Sequence, residues 1–98
     1  MPDALMIDPL GRAVTLHDHT WFGHILKGHP DMRTLRTEVE AAIQTPLRIC
    51  FSSSDPGCRI YYGSTWNSSI MVAVIGDVVG GFVRTAYRTA KIKGAVEW

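Results

Sequence analysis

The chain has 98 residues, of which 46% are hydrophobic and 19% are charged. These proportions predict one globular domain spanning residues 1–98 and exclude general disorder. The formal net charge of +1 excludes binding of nucleic acid through bulk charge alone. The longest apolar run, residues 70–75, is too short to cross a bilayer. No signal-peptide pattern opens the sequence, so we expect a cytoplasmic protein without a membrane partner.

The first 44 residues are predicted to form a hairpin followed by two helices. Apolar segments 5–7 and 13–16 flank a tetrapeptide with proline second and glycine fourth, which is typical of a type I turn. A helix is predicted over residues 19–27 because a glycine follows at the usual C-terminal position. A second helix is predicted over residues 30–44, because a proline opens it and its apolar residues recur at the helical period.

The rest of the chain predicts an antiparallel sheet. Strand-like segments at 47–51, 59–62, 70–75 and 81–88 are separated by short turn-rich connections, which favour hairpins. Residues 70–75 are apolar at both parities, which is typical of a central strand. The predicted fold is therefore α+β, with the N-terminal hairpin and two helices packed on a four- to five-stranded antiparallel sheet. The expected core residues are Phe22, Leu26, Leu35, Val39, Ile43, Ile49, Val72, Val74 and Val83.

Two cysteines, Cys50 and Cys58, lie on either side of a turn-rich segment. Because the sequence has no secretory signal, reduced and partly buried thiols are favoured over a disulfide. Their spacing does not match a Cys-x-x-Cys motif, so the zinc and thioredoxin patterns are absent.

Two histidines, His24 and His29, are the first candidates for acid–base chemistry, because histidine titrates near neutral pH. His24 falls opposite the apolar stripe of its helix, so it is either a surface residue or a free proton carrier. His29 follows the helix end, where it either caps the turn or points into a cleft. Their i, i+5 spacing differs from the i, i+4 spacing of a helical zinc pair. We therefore expect neither a metal nor a cofactor.

The last predicted strand carries a second group of candidates. Thr85 and Tyr87 are two residues apart and so share one face of the strand, whereas Arg84 and Arg88 point to the other face. Arg59, on an earlier strand-like segment, is a further cation of the kind that a phosphate-cleaving site needs. Such a set could cleave RNA: a base takes the ribose 2′-hydroxyl proton, an acid protonates the leaving oxygen, and an arginine stabilises the phosphorus centre. Threonine and tyrosine are also ordinary strand formers, so a purely structural role stays open.

The cations are concentrated towards the end of the sequence. The last 17 residues contain a single acid, Glu97, and four cations: Arg84, Arg88, Lys91 and Lys93. These four cations are the expected substrate-binding residues for a polyanion such as RNA. Trp66, in a predicted Gly/Ser/Asn connection, either stacks on an unpaired base or packs over the edge of the sheet.

Four motifs occur together in one order. They are Gly11-Arg12-x-Val14, Trp21-x-x-His24-Ile-Leu-x-x-His29-Pro-Asp31, Tyr61-Tyr62, and Val83-x-Thr85-Ala-Tyr87. Together they resemble the phage-associated nuclease domains of the barnase/EndoU/colicin/RelE-like group. The resemblance covers almost the whole chain.

This resemblance implies a barnase/RelE-like fold and a metal-independent endoribonuclease that acts as a phage- or mobile-element-borne toxin or effector. RNA is the implied substrate, and an antitoxin or immunity protein the implied partner. His24, His29, Arg59, Thr85 and Tyr87 match the family's catalytic positions. We therefore expect a histidine within about 10 Å of Thr85 or Tyr87, in a cleft that also admits Arg59. The alternative is a non-catalytic nucleic-acid- or protein-binding module on the same fold.

Overall fold

The structure is a computed structural model and describes residues 3–55, 57–66, 69–76 and 81–98. Its strands form one six-stranded sheet in the order β1-β2-β6-β5-β4-β3. They are β1 (Ala4–Ile7), β2 (Ala13–Leu16), β3 (Arg48–Phe51), β4 (Cys58–Trp66), β5 (Ser69–Gly76) and β6 (Phe82–Thr89). The predicted α+β class is confirmed. The sheet is nevertheless larger than expected and mixed, because the N-terminal hairpin joins it through a parallel pairing of β2 with β6 at Thr15 and Phe82.

The predicted hairpins and the central strand are confirmed. β1 pairs with β2, and β3 to β6 pair in succession, always antiparallel. β5 lies between β4 and β6, and its residue Val72 is completely buried. Within the described residues, no helix has both the length and the apolar character needed to cross a membrane.

The first predicted helix contains a π turn. Its consecutive parts are α1 (Asp18–Thr20), the π turn (Trp21–Ile25) and α2 (Leu26–Gly28). Trp21 and Ile25 are four residues apart, and both are buried in the core. Phe22 is 49% exposed. The prediction that Phe22 belongs to the core is therefore wrong, because Trp21 is the aromatic residue that shares the buried face with Ile25.

The second predicted helix, residues 30–44, is interrupted. It begins with a 3-10 turn (Pro30–Met32), and a separate nine-residue helix, α3 (Arg36–Gln44), follows. Leu35 lies between them with φ −116° and ψ 18°, outside helical backbone geometry. The predicted apolar stripe still holds, because Met32 and Leu35 are buried together with the α3 residues Val39 and Ile43.

The sheet has two different faces. On the helix face, Tyr61, Ala73 and Ala86 are cross-strand partners and share the main core with α3. Of the predicted core residues, Leu35, Val39, Ile43, Ile49 and Val83 are buried there, whereas Leu26 is only partly buried. Val72 belongs to a smaller buried cluster on the other face, where Val74 is also partly buried. Cys50 and Cys58 are free, buried thiols, as predicted.

We call this second face of the sheet the open face. Its register aligns Ile60 with Val74 and Val74 with Thr85, while Val72 pairs with Tyr87. Cross-strand partners share a face, and the side chains of Ile60, Val74, Thr85 and Tyr87 are each only partly buried. This face therefore offers an accessible floor on which a site can form.

Gly63 sets the distance between the sheet and α3. A Cβ atom at Gly63 would lie 2.5 Å from the Ala42 Cβ and 2.9 Å from its Cα. Since backbone cannot yield as a flexible side chain can, we expect Gly63→Ala to lower the free energy of unfolding by about 1–3 kcal/mol. Urea denaturation measures this change.

The matched control is Gly23→Ala in the π turn, where an added Cβ meets no atom within 4 Å. That control should be neutral or slightly stabilising, because alanine has the higher helix propensity. Equal stabilities for Gly63→Ala and the unchanged protein would contradict the close approach of α3.

Candidate functional site

A β-bulge in β6 turns Arg84 towards the open face. Val74 pairs with Thr85 and Ile75 pairs with Val83, so Arg84 is the extra residue between the two pairs. Bulges commonly re-aim a side chain. Arg84 lines the same cleft as Thr85 and Tyr87, so the prediction that it points to the opposite face is wrong.

This cleft has a volume of about 340 Å³ and opens on the floor of the sheet. His24 reaches it from the π turn, and Arg84, Thr85 and Tyr87 line it from β6. Asp55, from the β3–β4 connection, lies on the same cleft. Three separate elements thus place an imidazole, a guanidinium, two hydroxyls and a carboxylate around one solvent-accessible space.

Arg84 is held in place at its Nη1 atom. That atom lies 2.9 Å from Asp55 Oδ2 and 3.2 Å from Cys58 Sγ. The hydrogen bond with Cys58 and the pair with Asp55 raise the pKa of Arg84. The pKa of Asp55 is lowered, first by the hydrogen bond from Cys58 and then by that from the Gly57 backbone. Both side chains are about half exposed. Within the described residues, Nε and Nη2 of Arg84 make no hydrogen bond, so they can face an anion.

The two histidines approach β6 differently. His29 is half-buried, and its ring centroid lies 5.6 Å from that of Tyr87, with the planes tilted by 31°. His24 is exposed and lines the cleft with Arg84, Thr85 and Tyr87. The predicted closeness of a histidine to Tyr87 is therefore confirmed for His29, whereas the catalytic roles of both histidines stay predictions.

Arg59 does not reach this cleft. It pairs with Ile75, whose side chain belongs to the main core, so Arg59 lies on the side of the helix face. Its Nε donates to both Glu97 oxygens at 3.0 Å, and its guanidinium lies 5.4 Å from the Phe51 ring centroid. The expectation that Arg59 shares a cleft with Thr85 and Tyr87 is wrong, because the register of β4 puts it on the opposite parity from Ile60.

One further predicted substrate-binding residue, Arg88, does not line the cleft. Arg88 pairs with Met71 of the core, and its Nη2 lies 3.0 Å from Asp31 Oδ2, away from Thr85 and Tyr87. Trp66 ends β4 opposite Ser69 rather than lying in a connection. The side chain of Trp66 lies outside the described part of the structure.

Lys91 and Lys93 line a second cleft of about 360 Å³ on the open face. Tyr87, Ile60 and Ser52 belong to both clefts, so the two are continuous along β6. The structure therefore brings Arg84, Lys91 and Lys93 to one groove and leaves Arg88 on the other side of the sheet.

Tyr87 occupies the middle of this groove. Burial raises the pKa of Tyr87, and its charge interaction with Tyr62 raises it further. The hydroxyl therefore stays protonated at neutral pH and can donate a proton or a hydrogen bond to an oxyanion. Among the described residues, no group of three or more His, Cys, Asp and Glu side chains is arranged to hold a metal ion.

Sequence reasoning missed Asp55 and Cys58 as partners of Arg84. Their serine-rich connection was interpreted only as a turn, and nothing in it indicates a contact with β6. A bulge also has no reliable signature in a strand without glycine. Comparisons with known protein families, with curated proteins and with solved structures found no match for this chain.

Proposed function

We propose that the protein is a metal-independent endoribonuclease that cleaves RNA by attack of a ribose 2′-hydroxyl on the adjacent phosphate. The observation that carries this proposal is that His24, Arg84, Thr85 and Tyr87 line one and the same open cleft. Such a reaction needs a base, an acid and a cation around one phosphate. The four side chains provide each of these functions, and the cleft is open to a polymer.

Each side chain has a role in the proposed reaction. His24, which is exposed on the π turn, takes the proton of the 2′-hydroxyl. Tyr87 protonates the leaving 5′-oxygen, and His29 packs against its ring. Arg84 binds the phosphate through Nε and Nη2, and Thr85 donates to a non-bridging oxygen. A fixed guanidinium suits the charge that develops at phosphorus.

The sequence motifs support the same proposed function. Their resemblance to phage-associated nuclease domains favours a barnase/RelE-like domain and a toxin or effector with an antitoxin or immunity partner. In this proposal the protein meets RNA in the cytoplasm. Arg84 replaces Arg59 as the cation at the phosphate.

The test is RNA cleavage in EDTA. We expect the purified protein to cut RNA and to leave 2′,3′-cyclic phosphate ends, because the 2′-oxygen becomes bonded to phosphorus. RNA that carries 2′-O-methyl groups throughout should stay intact, since it has no attacking hydroxyl. Inactivity on total RNA, tRNA and ribosome-bound mRNA would contradict the proposal. Salt-dependent binding without cleavage would favour the non-catalytic module.

A further inference from the structure

Residues 90–98, here called the strap, run from the end of β6 across the open face to the outer edge of β3. The Phe51 N–H donates to the Ala95 carbonyl at 2.8 Å, and the Glu97 N–H donates to the Ile49 carbonyl at 2.7 Å. The strap carries Lys91 and Lys93 into the second cleft. The positions of the two lysines in the groove therefore depend on the contacts that hold the strap against the sheet.

Contacts hold the strap at Lys93 and at the residues that follow it. The Tyr62 hydroxyl donates to the Lys93 carbonyl at 3.0 Å. Gly94 has φ +100°, and a Cβ there would lie 2.5 Å from the Phe51 oxygen, so the chain passes β3 at close range. The Glu97 carboxylate accepts from Arg12 Nη2 at 2.8 Å and from Arg59 Nε at 3.0 Å. The backbone that presents the lysines is thus ordered by the fold itself.

The lysines differ from the nearby arginines in their charge environment. Arg12, Arg59, Arg84 and Arg88 each form an ion pair with a carboxylate. Among the described residues, neither Lys91 nor Lys93 has an acidic partner, and both are exposed. An anion entering this end of the groove would therefore meet two positive charges that no internal carboxylate offsets.

The groove has Arg84 at one end and Lys91 and Lys93 at the other. The floor between these ends suits nucleobases better than a further phosphate. Ile60, Val74 and Tyr87 are partly exposed there, and Tyr87 borders both clefts. Unpaired bases stack on aromatic side chains, whereas a duplex keeps its bases inside. The distribution of charge and apolar surface along the groove therefore matches one single strand.

We propose that Lys91 and Lys93 bind a second phosphate of the RNA strand whose scissile phosphate lies at Arg84, so that the substrate is a single-stranded oligomer. Thr85 and Thr89 are four positions apart on β6, which corresponds to about 13 Å at roughly 3.3 Å per residue. A stacked strand carries one phosphate per roughly 3.4 Å, so this separation corresponds to at most about four nucleotides. The inference rests on the proposed function in that RNA is the ligand.

The test measures binding separately from cleavage. Uncleavable 2′-O-methyl RNA oligomers of increasing length, from a dinucleotide to an octamer, are titrated in EDTA at several salt concentrations. For the octamer, the double variant Lys91→Gln/Lys93→Gln should reduce the slope of log affinity against log salt concentration by about 0.7, because one phosphate contact is lost. At roughly 0.1 M salt this corresponds to an affinity loss of about 5-fold. The dinucleotide should bind both proteins equally.

Arg33→Gln is the matched control, because it removes one charge from an exposed side chain that lines neither cleft. It should leave the octamer affinity close to that of the unchanged protein. The two single variants, with thermal unfolding measured alongside, separate loss of charge from loss of fold.

Each outcome decides one of the two proposals. Lysine-dependent octamer binding without any cleavage would support the second phosphate site and overturn the nuclease. If RNA is cleaved but the octamer affinity is the same with and without the two lysines, the second phosphate site is overturned and the nuclease proposal stands. Absence of binding to every oligomer would overturn the second site, and absence of cleavage would also overturn the nuclease.

Discussion

Replacing His24 by alanine is expected to lower the rate of RNA cleavage by about 10²–10⁴-fold, the usual scale for losing an acid–base group. His24 is exposed and lines the cleft that also contains Arg84, Thr85 and Tyr87. Its loss removes the proposed base without opening a cavity in the core. Single-turnover cleavage of a labelled RNA in EDTA measures the effect, and a parallel unfolding curve shows that stability is unchanged.

His17→Ala is the control for this experiment. His17 is partly exposed, but its Nδ1 lies 3.1 Å from Asp3 Oδ2 and its ring stacks on His19, and it does not line the cleft of Arg84, Thr85 and Tyr87. Its removal should leave the cleavage rate unchanged. If His24→Ala were fully active while His29→Ala lost the activity, the base would be His29.

Tyr87→Phe tests the acid in the same assay. The substitution keeps the aromatic ring against His29 and removes only the hydroxyl. If His24 and Tyr87 act together in the same reaction, the cleavage rate of the double variant should fall by a much smaller factor than the product of the two single-variant factors. Multiplicative losses would show that the two groups act independently.

Strand parity predicted part of this site correctly. Thr85 and Tyr87 share the open face, as their spacing requires. The same rule failed for Arg84, because a bulge inserts one residue between the pairs of Thr85 and Val83. It also could not place Arg59, since parity gives a shared face within β4 but not which face looks towards Tyr87. Face assignment across strands depends on register, which the sequence does not state.

Helical periodicity was similarly reliable only where the helix is regular. The stripe through Val39 and Ile43 is buried in α3, as predicted. In the π turn the buried stripe passes through Trp21 and Ile25, whereas the predicted stripe passed through Phe22. His24 lies within that turn, so a feature that sequence patterns do not reveal contributes to the position of the proposed base. π turns are frequently found at functional sites.

A buried charge network stabilises the sheet on the other side from the cleft. Asp8 is 4% exposed, and its Oδ2 accepts hydrogen bonds from the Tyr61 hydroxyl and from Arg12 Nε. Its Oδ1 accepts from the Leu10 and Arg12 N–H groups. Burial alone raises the pKa of Asp8, but the hydrogen bonds from Tyr61 and Arg12 outweigh it and leave the pKa below its ordinary value. Four donors therefore depend on one carboxylate.

Asp8→Asn should lower the free energy of unfolding by about 2–4 kcal/mol near neutral pH. The Asp8 carboxylate accepts hydrogen bonds from Tyr61 Oη and Arg12 Nε, whereas the NH₂ group of asparagine at this place is itself a donor and cannot accept them. The loss stays below that of a fully buried pair because the Arg12 side chain is 33% exposed. A change of this size is a large part of the roughly 5–15 kcal/mol that holds a domain together.

The pH dependence gives the sharper test of this network. Because the folded pKa of Asp8 is lowered, its stabilisation is fully present above the unfolded pKa of about 3.9 and is lost as pH falls through the folded value. Urea denaturation should therefore show the gap between the unchanged protein and Asp8→Asn narrowing only below that pH. Asp31→Asn, which removes an exposed partner of Arg88, should cost less than about 1 kcal/mol. If the difference in unfolding free energy between the two proteins did not change with pH, the loss of the Asp8 charge would not be the cause of the destabilisation. The shape and hydrogen-bonding of the amide group would then be the cause.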